Sequence, residues 1–471
     1  MNAMRTVSRE DSNSKRTGLG HHWPVKAAIF ALALCIGISP LAAQTVTRFT
    51  RLTRKVAASD PNSTTSKDPN ATTASDPNQR TATDPNQTVA VEPNQVAVEP
   101  NQVAVEPNQV AGGANAGQFN KSGNILIADR LNHRVIEVDR DTQEIVWQFG
   151  DGNSVAGPKS VVAPSDAERV GEWTLICGGS VSASTDPNAE NGLGDHRVLL
   201  VDRSGKIFWQ YGQAGVAGSD VNQLNTPVCA AYLPYGHILI CDQGNHRVIE
   251  VSMVTKTIVW QHGTTGTSGT GYNQLYSPSS ALLLDNGNIL IADAGNNRVI
   301  EVSRKHSTVW RYGDSNSGES LNGPSFACRL ADGNTLITDS GNNRILEVDR
   351  SGRKVMEFVT SKQSGSAADP LPTRAVRLDN GNTLISDQFN HQVIEIDSGS
   401  HVVFTQGSIG AAGNGSNQLN CPCDAKAIGD YTGLTPPSLD SYWQWSDGSE
   451  PPPERDRYNR GRHDRDRDWR R

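Results

Sequence analysis

Aspartate and histidine recur at a fixed spacing along this sequence, and both residue types can ligate metals or transfer protons. In most copies an Asp ends a short apolar run, and a His or Asn followed by an Arg comes four residues later. The residues concerned are Asp129, His133, Arg134, His196, Arg197, Asp242, His246, Arg247, Asp293, Arg298, Asp339, Arg344, Asp387 and His391.

This repeated set allows two interpretations. A ring of Asp and His side chains could ligate a metal or do acid–base work. A motif present in nearly every copy is, however, more typical of a turn than of a single active site. Asp accepts hydrogen bonds in turns, and a nearby Arg pairs with it. We therefore predict that the set is structural, and we predict no metal site.

Residues that depart from the repeat are better candidates for a ligand site. His262 stands where other copies have Phe or Tyr, and Arg329, Arg374 and Asp424 lie on or near the first strands of their units. A channel-lining Arg could bind an anion. The alternative is that these side chains only hydrate a polar channel and that His262 is structural.

Cysteine usage is compatible with buried thiols or with one disulfide. Cys229 and Cys241 flank a turn almost symmetrically, so we expect them to be cross-strand neighbours that could form a disulfide. The spacing Cys421-Pro422-Cys423 is one residue short of CxxC, and no metal-type spacing occurs. Small buried thiols are the plainer interpretation.

The elements that carry these residues are short strands. The stretch from Ser277 to Gly313 contains four apolar runs, and Asn286-Gly287 between the first two is a strong hairpin signal. The second run is wholly apolar, which is typical of a strand covered on both faces. An Arg or Gln opens the third run of each unit, at 134, 197, 247, 298, 344 and 392.

Six units of about fifty residues with four strands each predict an all-β, six-bladed β-propeller. A solenoid is the alternative, but its ends would need capping. Residues 417–430 match the segments that lead into first strands at 222–227 and 273–278, although no second strand follows them. We predict that they supply the inner strand of blade one and close the ring.

The pattern Gly-Asn-x-Leu-Ile-x-Asp-x-x-Asn-His-Arg-Val-Ile-Glu-Val, ending Trp-x-x-Gly, resembles the NHL-repeat family. It stands at 123–138 and, with substitutions, at 236–251, and the repeats cover about 115–430. The resemblance implies a propeller with a binding role and implies no single activity. Blade two departs from the pattern, since Gly178 replaces the Asp and residues 180–194 are inserted.

The domains follow from composition. Residues 1–43 read as a signal peptide or an uncleaved anchor, and 44–114 form a linker with Asp-Pro-Asn and Glu-Pro-Asn repeats. The propeller takes 115–434, and 435–471 is a Pro- and Arg/Asp-rich tail. We expect disorder in linker and tail. The linker is either a stalk or an unselected repeat.

An exported chain would be periplasmic, cell-surface or secreted, with membrane contact only through an uncleaved N-terminal anchor.

Composition and motifs exclude some classes of function but do not identify one. The net charge of -7 argues against a globally basic nucleic-acid binder. Motifs for phosphate, zinc-protease, EF-hand and nucleophile-elbow sites are missing from the sequence, so no cofactor is identified. We expect an extracytoplasmic binding or scaffold protein that holds a protein, polysaccharide or small ligand on its loop-rich face and channel. The alternatives are an arylsulfotransferase-like or lyase-like propeller enzyme and a structural envelope component.

Overall fold

The computed structural model describes residues 118–181, 193–313 and 319–437. These residues form six four-stranded antiparallel sheets arranged as the blades of a ring. The predicted six-bladed β-propeller is confirmed.

The strands are short, and blades two to six each take four consecutive strands. In chain order they are β1 (Ile125–Asp129), β2 (Arg134–Val138), β3 (Ile145–Phe149), β4 (Pro164–Val170), β5 (Trp173–Val181), β6 (Leu193–Val201), β7 (Ile207–Gly212), β8 (Pro227–Leu233), β9 (His237–Asp242), β10 (Arg247–Ser252), β11 (Ile258–His262), β12 (Ser280–Leu283), β13 (Ile289–Asp293), β14 (Arg298–Val302), β15 (Thr308–Tyr312), β16 (Phe326–Arg329), β17 (Thr335–Asp339), β18 (Arg344–Val348), β19 (Lys354–Val359), β20 (Pro372–Arg377), β21 (Thr383–Asp387), β22 (Gln392–Ile396), β23 (Val402–Gly407) and β24 (Pro422–Ala427). Short 3-10 turns lie at Arg130–Asn132, Gln243–Asn245, Ala294–Asn296, Ser340–Asn342, Thr360–Lys362 and Gln388–Asn390.

Blade one is completed by the end of the propeller segment. Its strand order is β24-β1-β2-β3, so the last strand of the described chain is the innermost strand of the first blade. Ile125 pairs with Ala427 and Ile127 with Ala425. The ring is therefore closed by strand pairing, which removes an open sheet edge.

Burial of the second strand of each blade explains its apolar sequence. Ile125, Leu126 and Ile127 of β1 are at most 1% exposed, and a fully buried side chain of this size contributes about 1.5–3 kcal/mol. The core lies between neighbouring blades: Leu290 and Val299 of blade four pack with Ala327 and Ile337 of blade five.

The two ends of the central channel differ. We call the end that carries the second-to-third-strand turns and the connections between blades the link face, and the end that carries the first-to-second-strand turns the hairpin face. The chain enters at the hairpin face, where the Asn120 amide donates to Glu137 Oε1 at 2.7 Å and the Phe119 ring lies 4.3 Å from the Arg169 guanidinium. Within the described ranges no helix has the length and apolarity needed to cross a membrane.

Candidate functional site: the channel and the link face

The repeated Asp side chains hold the turns of the link face. Asp129 Oδ2 accepts from Arg134 Nε at 2.8 Å and from Asn132 Nδ2 at 2.7 Å, and Oδ1 accepts the Asn420 amide at 2.7 Å. The same contacts surround Asp242, Asp293 and Asp339. Burial raises the pKa of these carboxyls, and the neighbouring donors oppose that shift.

In blade six the corresponding carboxylate is Asp387, and it has no Arg beside it in the repeat position. Asn390, Gln392 and Gln363 donate to its Oδ2 at 2.7, 3.0 and 2.8 Å. Burial raises the pKa of this carboxyl as well.

The His or Asn four residues after the Asp joins one blade to the next. These residues have a left-handed backbone, as at His133 (φ 50) and Asn297 (φ 53). His133 Nδ1 accepts the Ala163 amide at 3.1 Å, and Asn297 Oδ1 accepts the Gly323 amide at 2.7 Å. The six contacts are His133–Ala163, His196–Thr226, His246–Ser277, Asn297–Gly323, Asn343–Leu371 and His391–Cys421.

The Arg of the repeat attaches the connection between blades. Arg134 donates to the carbonyl oxygens of Asn414 and Gln418 at 2.9 and 3.2 Å, and Arg298 donates to Gln274 at 3.2 Å. Among the residues that the structure describes, no group of three His, Cys, Asp or Glu side chains could hold a metal ion. The contacts of the repeated set are thus contacts within the scaffold.

Blade two obtains its turn carboxylate from the other strand of the hairpin. Asp195 Oδ2 accepts the Val162 amide at 2.8 Å, and Asp195 Oδ1 binds Arg197 Nε. A side chain at Gly178 would place its Cβ 2.6 Å from the Asp195 side chain, so the Gly is required there. The sequence analysis missed Asp195, although the run Asp195-His196-Arg197 was a usable signal.

Five ionisable side chains meet inside the channel, four of them buried and that of Lys426 12% exposed, and we call them the channel cluster: Asp166, Glu168, Arg374, Asp424 and Lys426. Arg374 bridges Asp166 and Asp424, with nitrogen–oxygen distances of 2.6 and 2.7 Å. Lys426 contacts both carboxylates and lies 2.6 Å from Asp424.

The cluster brings together two of the predicted ligand-binding residues, Arg374 and Asp424, with three that the sequence analysis did not identify. The cluster joins β4 of blade two, β20 of blade six and the closing strand β24.

The carboxylates of the cluster also accept backbone groups of the neighbouring inner strand. Asp424 Oδ2 accepts the Ala167 amide at 3.0 Å, and Asp166 Oδ2 accepts the Ala230 amide at 2.8 Å. Although burial acts to raise it, Lys426 and Arg374 hold the pKa of Asp166 below its ordinary value. The cluster therefore pairs charges and satisfies channel-facing amides at once.

Glu168 is the member of the cluster with an unusual protonation state. Its Oε2 accepts the Tyr232 amide at 2.9 Å. Burial raises the pKa of Glu168 to about 8, and Lys426 only partly opposes this shift. A pKa of about 8 favours the neutral form of this carboxyl at pH 7.

The hairpin face of the channel is covered by the segment after the closing strand, residues 428–437, which we call the strap. The Tyr431 hydroxyl donates to Arg169 O at 3.0 Å, Asp430 accepts the Asp379 amide at 2.7 Å, and the Thr435 hydroxyl donates to Leu283 O at 3.0 Å. The cavity between strap and channel cluster has room for about one water molecule.

Arg329 lies outside the channel cluster. Its Nη2 atom is 3.1 Å from Glu301 Oε2, and its guanidinium covers the Trp310 ring at 4.7 Å. The same type of pair joins Arg169 to Glu137 and Arg377 to Glu347 across other blade junctions. Arg329 therefore connects blades four and five instead of lining the channel.

His262 also lies away from the channel, at the end of the outer strand β11. Its Nδ1 is 3.4 Å from His306 Nδ1, and the two ring centroids are 5.6 Å apart. Burial lowers the pKa of His262 to about 4, with smaller effects of His306 and Arg298 in the same direction.

Cys229 and Cys241 are direct cross-strand partners in blade three. Both are buried, and both are free thiols in this structure. The disulfide between them stays a prediction.

The link face carries exposed apolar side chains on three successive connections. Val155 lies between blades one and two, Val216 and Val221 between two and three, and Tyr272 between three and four, with exposed fractions of 70, 42, 83 and 75%. The second and third of these connections are held in shape by Asn222 and Asn273, whose Oδ1 atoms accept the amides of Gly212 and Gly263 at 3.0 Å.

Comparison with known proteins places the chain among repeat propellers. Residues 194–414 match the family model described as outer membrane protein assembly factor BamB. That stretch is a little under half of the chain and runs from the third strand of blade two through blade six. No curated protein matches the sequence. The match supports a propeller-type repeat and does not distinguish the NHL type.

The solved structures that match this chain are distant from it in sequence and in shape. A Bacteroides caccae protein of unknown function is 17% identical with a TM-score of 0.44, covering 60% of this chain and 93% of its own. Virginiamycin B lyase from Staphylococcus aureus is 11% identical with a TM-score of 0.37, covering 61% and 85%. The dihydro-heme d1 dehydrogenase NirN is 13% identical with a TM-score of 0.37, covering 72% and 80%. At these scores the likenesses carry no argument about function, and the chain resembles repeat propellers in fold.

Proposed function

We propose that this chain is an exported binding protein, with NHL-type blades, that holds a protein partner on its link face. The observation that carries the proposal is the closed channel. Ion pairs among Asp166, Arg374, Asp424 and Lys426 fill it, and the strap covers its hairpin face. The cavity between the strap and the channel cluster has room for about one water molecule, far below the volume of a typical ligand pocket.

The link face offers the properties of a protein-binding surface. Two of its connections are anchored by part-buried hydrogen bonds, and the face exposes Val155, Val221 and Tyr272. The connections 264–272 and 408–416 contain no charged residue. A surface with exposed apolar and aromatic side chains favours an apolar segment of another protein. The match to an assembly-factor family supports a role in binding proteins.

The orientation of the chain agrees with this use. The described chain begins and ends at the hairpin face, at Asn120 and at the strap. Both ends of the described chain therefore lie away from the link face. We include in the proposal that residues 44–114 act as a stalk.

Site-specific photocrosslinking in the native host tests the proposal. A photoreactive amino acid at Val221 or Tyr272 is expected to give the same covalent partner band, and the same probe at the exposed Asp285 of the hairpin face is the matched control. Adding Val221→Asp should abolish the adduct formed from position 272. The proposal is refuted if Asp285 gives the adduct equally, or if neither link-face position gives one.

A further inference from the structure

The six blade junctions use the same hydrogen bond but two different acceptors. At four junctions an imidazole Nδ1 accepts the amide of the next blade, at 3.0 to 3.2 Å. At the junctions between blades four and five and between five and six, an Asn Oδ1 accepts it, at 2.7 and 3.0 Å.

The two acceptors differ in how they respond to acid. A neutral imidazole that accepts at Nδ1 carries its single proton on Nε2, whereas imidazolium has N–H groups at both positions and accepts nothing. Protonation at Nδ1 would therefore set a donor against the amide donor of the next blade. An Asn amide oxygen does not titrate and keeps its hydrogen bond.

We propose that the ring is an acid-sensitive closure, which acid weakens at its four histidine junctions and opens first where β24 completes blade one. The junction concerned is that of His391, which accepts the Cys421 amide just before β24. Every other inner strand is joined covalently by a short turn to the second strand of its own blade, whereas β24 has no such turn and is held in blade one by strand pairing and side-chain contacts. Weakening this junction therefore acts on the strand with the least covalent support.

The surroundings of the histidines support a response in mildly acid solution. Burial lowers the pKa of His391, and the titratable neighbour that faces it is the thiol of Cys421 at 4.0 Å. Burial also lowers the pKa of His196, where adjacent Asp195 acts in the opposite direction.

The pKa of His246 shifts in the same direction as those of His391 and His196. Burial lowers its pKa, a backbone hydrogen bond with Gln243 opposes that shift, and its ring meets the Tyr276 ring edge-on at 5.5 Å. A pKa that is lower in the folded than in the unfolded chain means that stability is complete above pH 6.5. It is then lost as the pH falls through the folded value.

The protein itself supplies the conservative replacement for a test. The full-length chain with His133, His196, His246 and His391 each changed to Asn would carry at every junction the residue that already serves at Asn297 and Asn343. Thermal midpoints are measured at pH 7.5 and pH 5.0. The natural chain is expected to lose about 5–10 °C more than the four-Asn chain on acidification. His401→Asn, at a side chain that is 80% exposed, is the control and should leave the loss unchanged.

Two further measurements keep the outcome decisive. The double variant Asn297→His and Asn343→His should show a larger fall in thermal midpoint at pH 5.0 than the natural chain. If the four-Asn chain does not fold, this double variant provides the test. Brief digestion by an acid-active protease at pH 5.0 should cut first within 408–430, and His391→Asn should suppress those cuts. Equal acid losses in the natural, four-Asn and two-His chains, or first cuts elsewhere, would overturn the proposal.

Discussion

Glu168 shows how one buried side chain gives the whole molecule a pH dependence. Its carboxyl accepts a backbone amide inside the channel, and burial raises its pKa to about 8 from an ordinary value of 4.5. An acid whose pKa is raised on folding stabilises the folded chain when neutral. That contribution is complete below pH 4.5 and is lost as the pH rises towards 8.

We therefore expect Glu168→Gln to flatten the stability profile on its alkaline side. Gln keeps an oxygen that accepts the Tyr232 amide and cannot ionise. Denaturation midpoints at pH 5, 7 and 9 should show the variant gaining on the natural chain as the pH rises, by an amount on the order of 1–3 kcal/mol at pH 9. The exposed Glu144→Gln is the matched control and should change nothing. A natural chain equally stable at pH 7 and 9 would contradict the assignment.

At the same scale, strand alternation explains which channel residues the sequence revealed. Arg374 and Asp424 both stand two residues after the Pro that begins their strand, and that side faces the channel. Arg329 stands five residues after Pro324, which places it on the opposite side of the strand, towards Glu301. Asp166, Glu168 and Lys426 were missed because nothing repeats at their positions; counting from the same Pro would have placed them in the channel.

The strap is an element that the repeat pattern could not predict. Its sequence is short and irregular, yet Tyr431 and Thr435 reach the ends of two inner strands and Leu434 packs on the core of the ring. The repeat pattern predicted the strands because each blade repeats the same apolar spacing. It contained no information about a segment that occurs once.

Removing the strap should destabilise the ring, whereas removing only the tail should not. A chain that ends at Gly429 loses the contacts of Tyr431, Leu434 and Thr435 and uncovers the cavity above Glu168. A chain that ends at Pro437 keeps all of them. We expect the unfolding free energy of the shorter chain, measured by urea denaturation, to fall by about 2–4 kcal/mol, since a partly buried Leu and three hydrogen bonds are lost. Equal midpoints would show that the strap contributes nothing.

For the whole molecule, ring closure rests on charge as well as on strand pairing. Arg374 of blade six touches carboxylates of blades one and two, so one guanidinium holds three blades around the closing strand. The six-fold repeat allowed the ring and its closing segment to be predicted, because unit length and hairpin signals recur. In blade two Gly178 stands at the usual Asp position, and Asp195 on the next strand supplies the carboxylate instead. The role of Asp195 was not predicted, because the repeat places the carboxylate on the second strand.

Arg374→Met is expected to loosen the ring at this point. The substitution leaves two buried carboxylates with Lys426 alone, and breaking a buried ion pair by removing one partner costs about 3–5 kcal/mol. Adding Asp424→Asn should recover part of the loss, which separates the charge effect from lost packing. Arg353→Met, at an 82% exposed side chain, is the control. Thermal unfolding of the four chains measures the effect, and an unchanged midpoint in Arg374→Met would contradict this view of closure.

The carboxylate exchange in blade two has an evolutionary consequence. In the other blades the turn carboxylate lies at the end of the second strand. The residues that follow it are fixed by the turn and tolerate little change. In blade two the anchor is Asp195, which comes after the inserted residues, so Arg197 and Val162 keep their contacts whatever precedes it. Lineages could lengthen or shorten the insertion between the paired residues Val181 and Leu193 without moving this carboxylate. This is the position in the ring where sequence diversity should accumulate fastest.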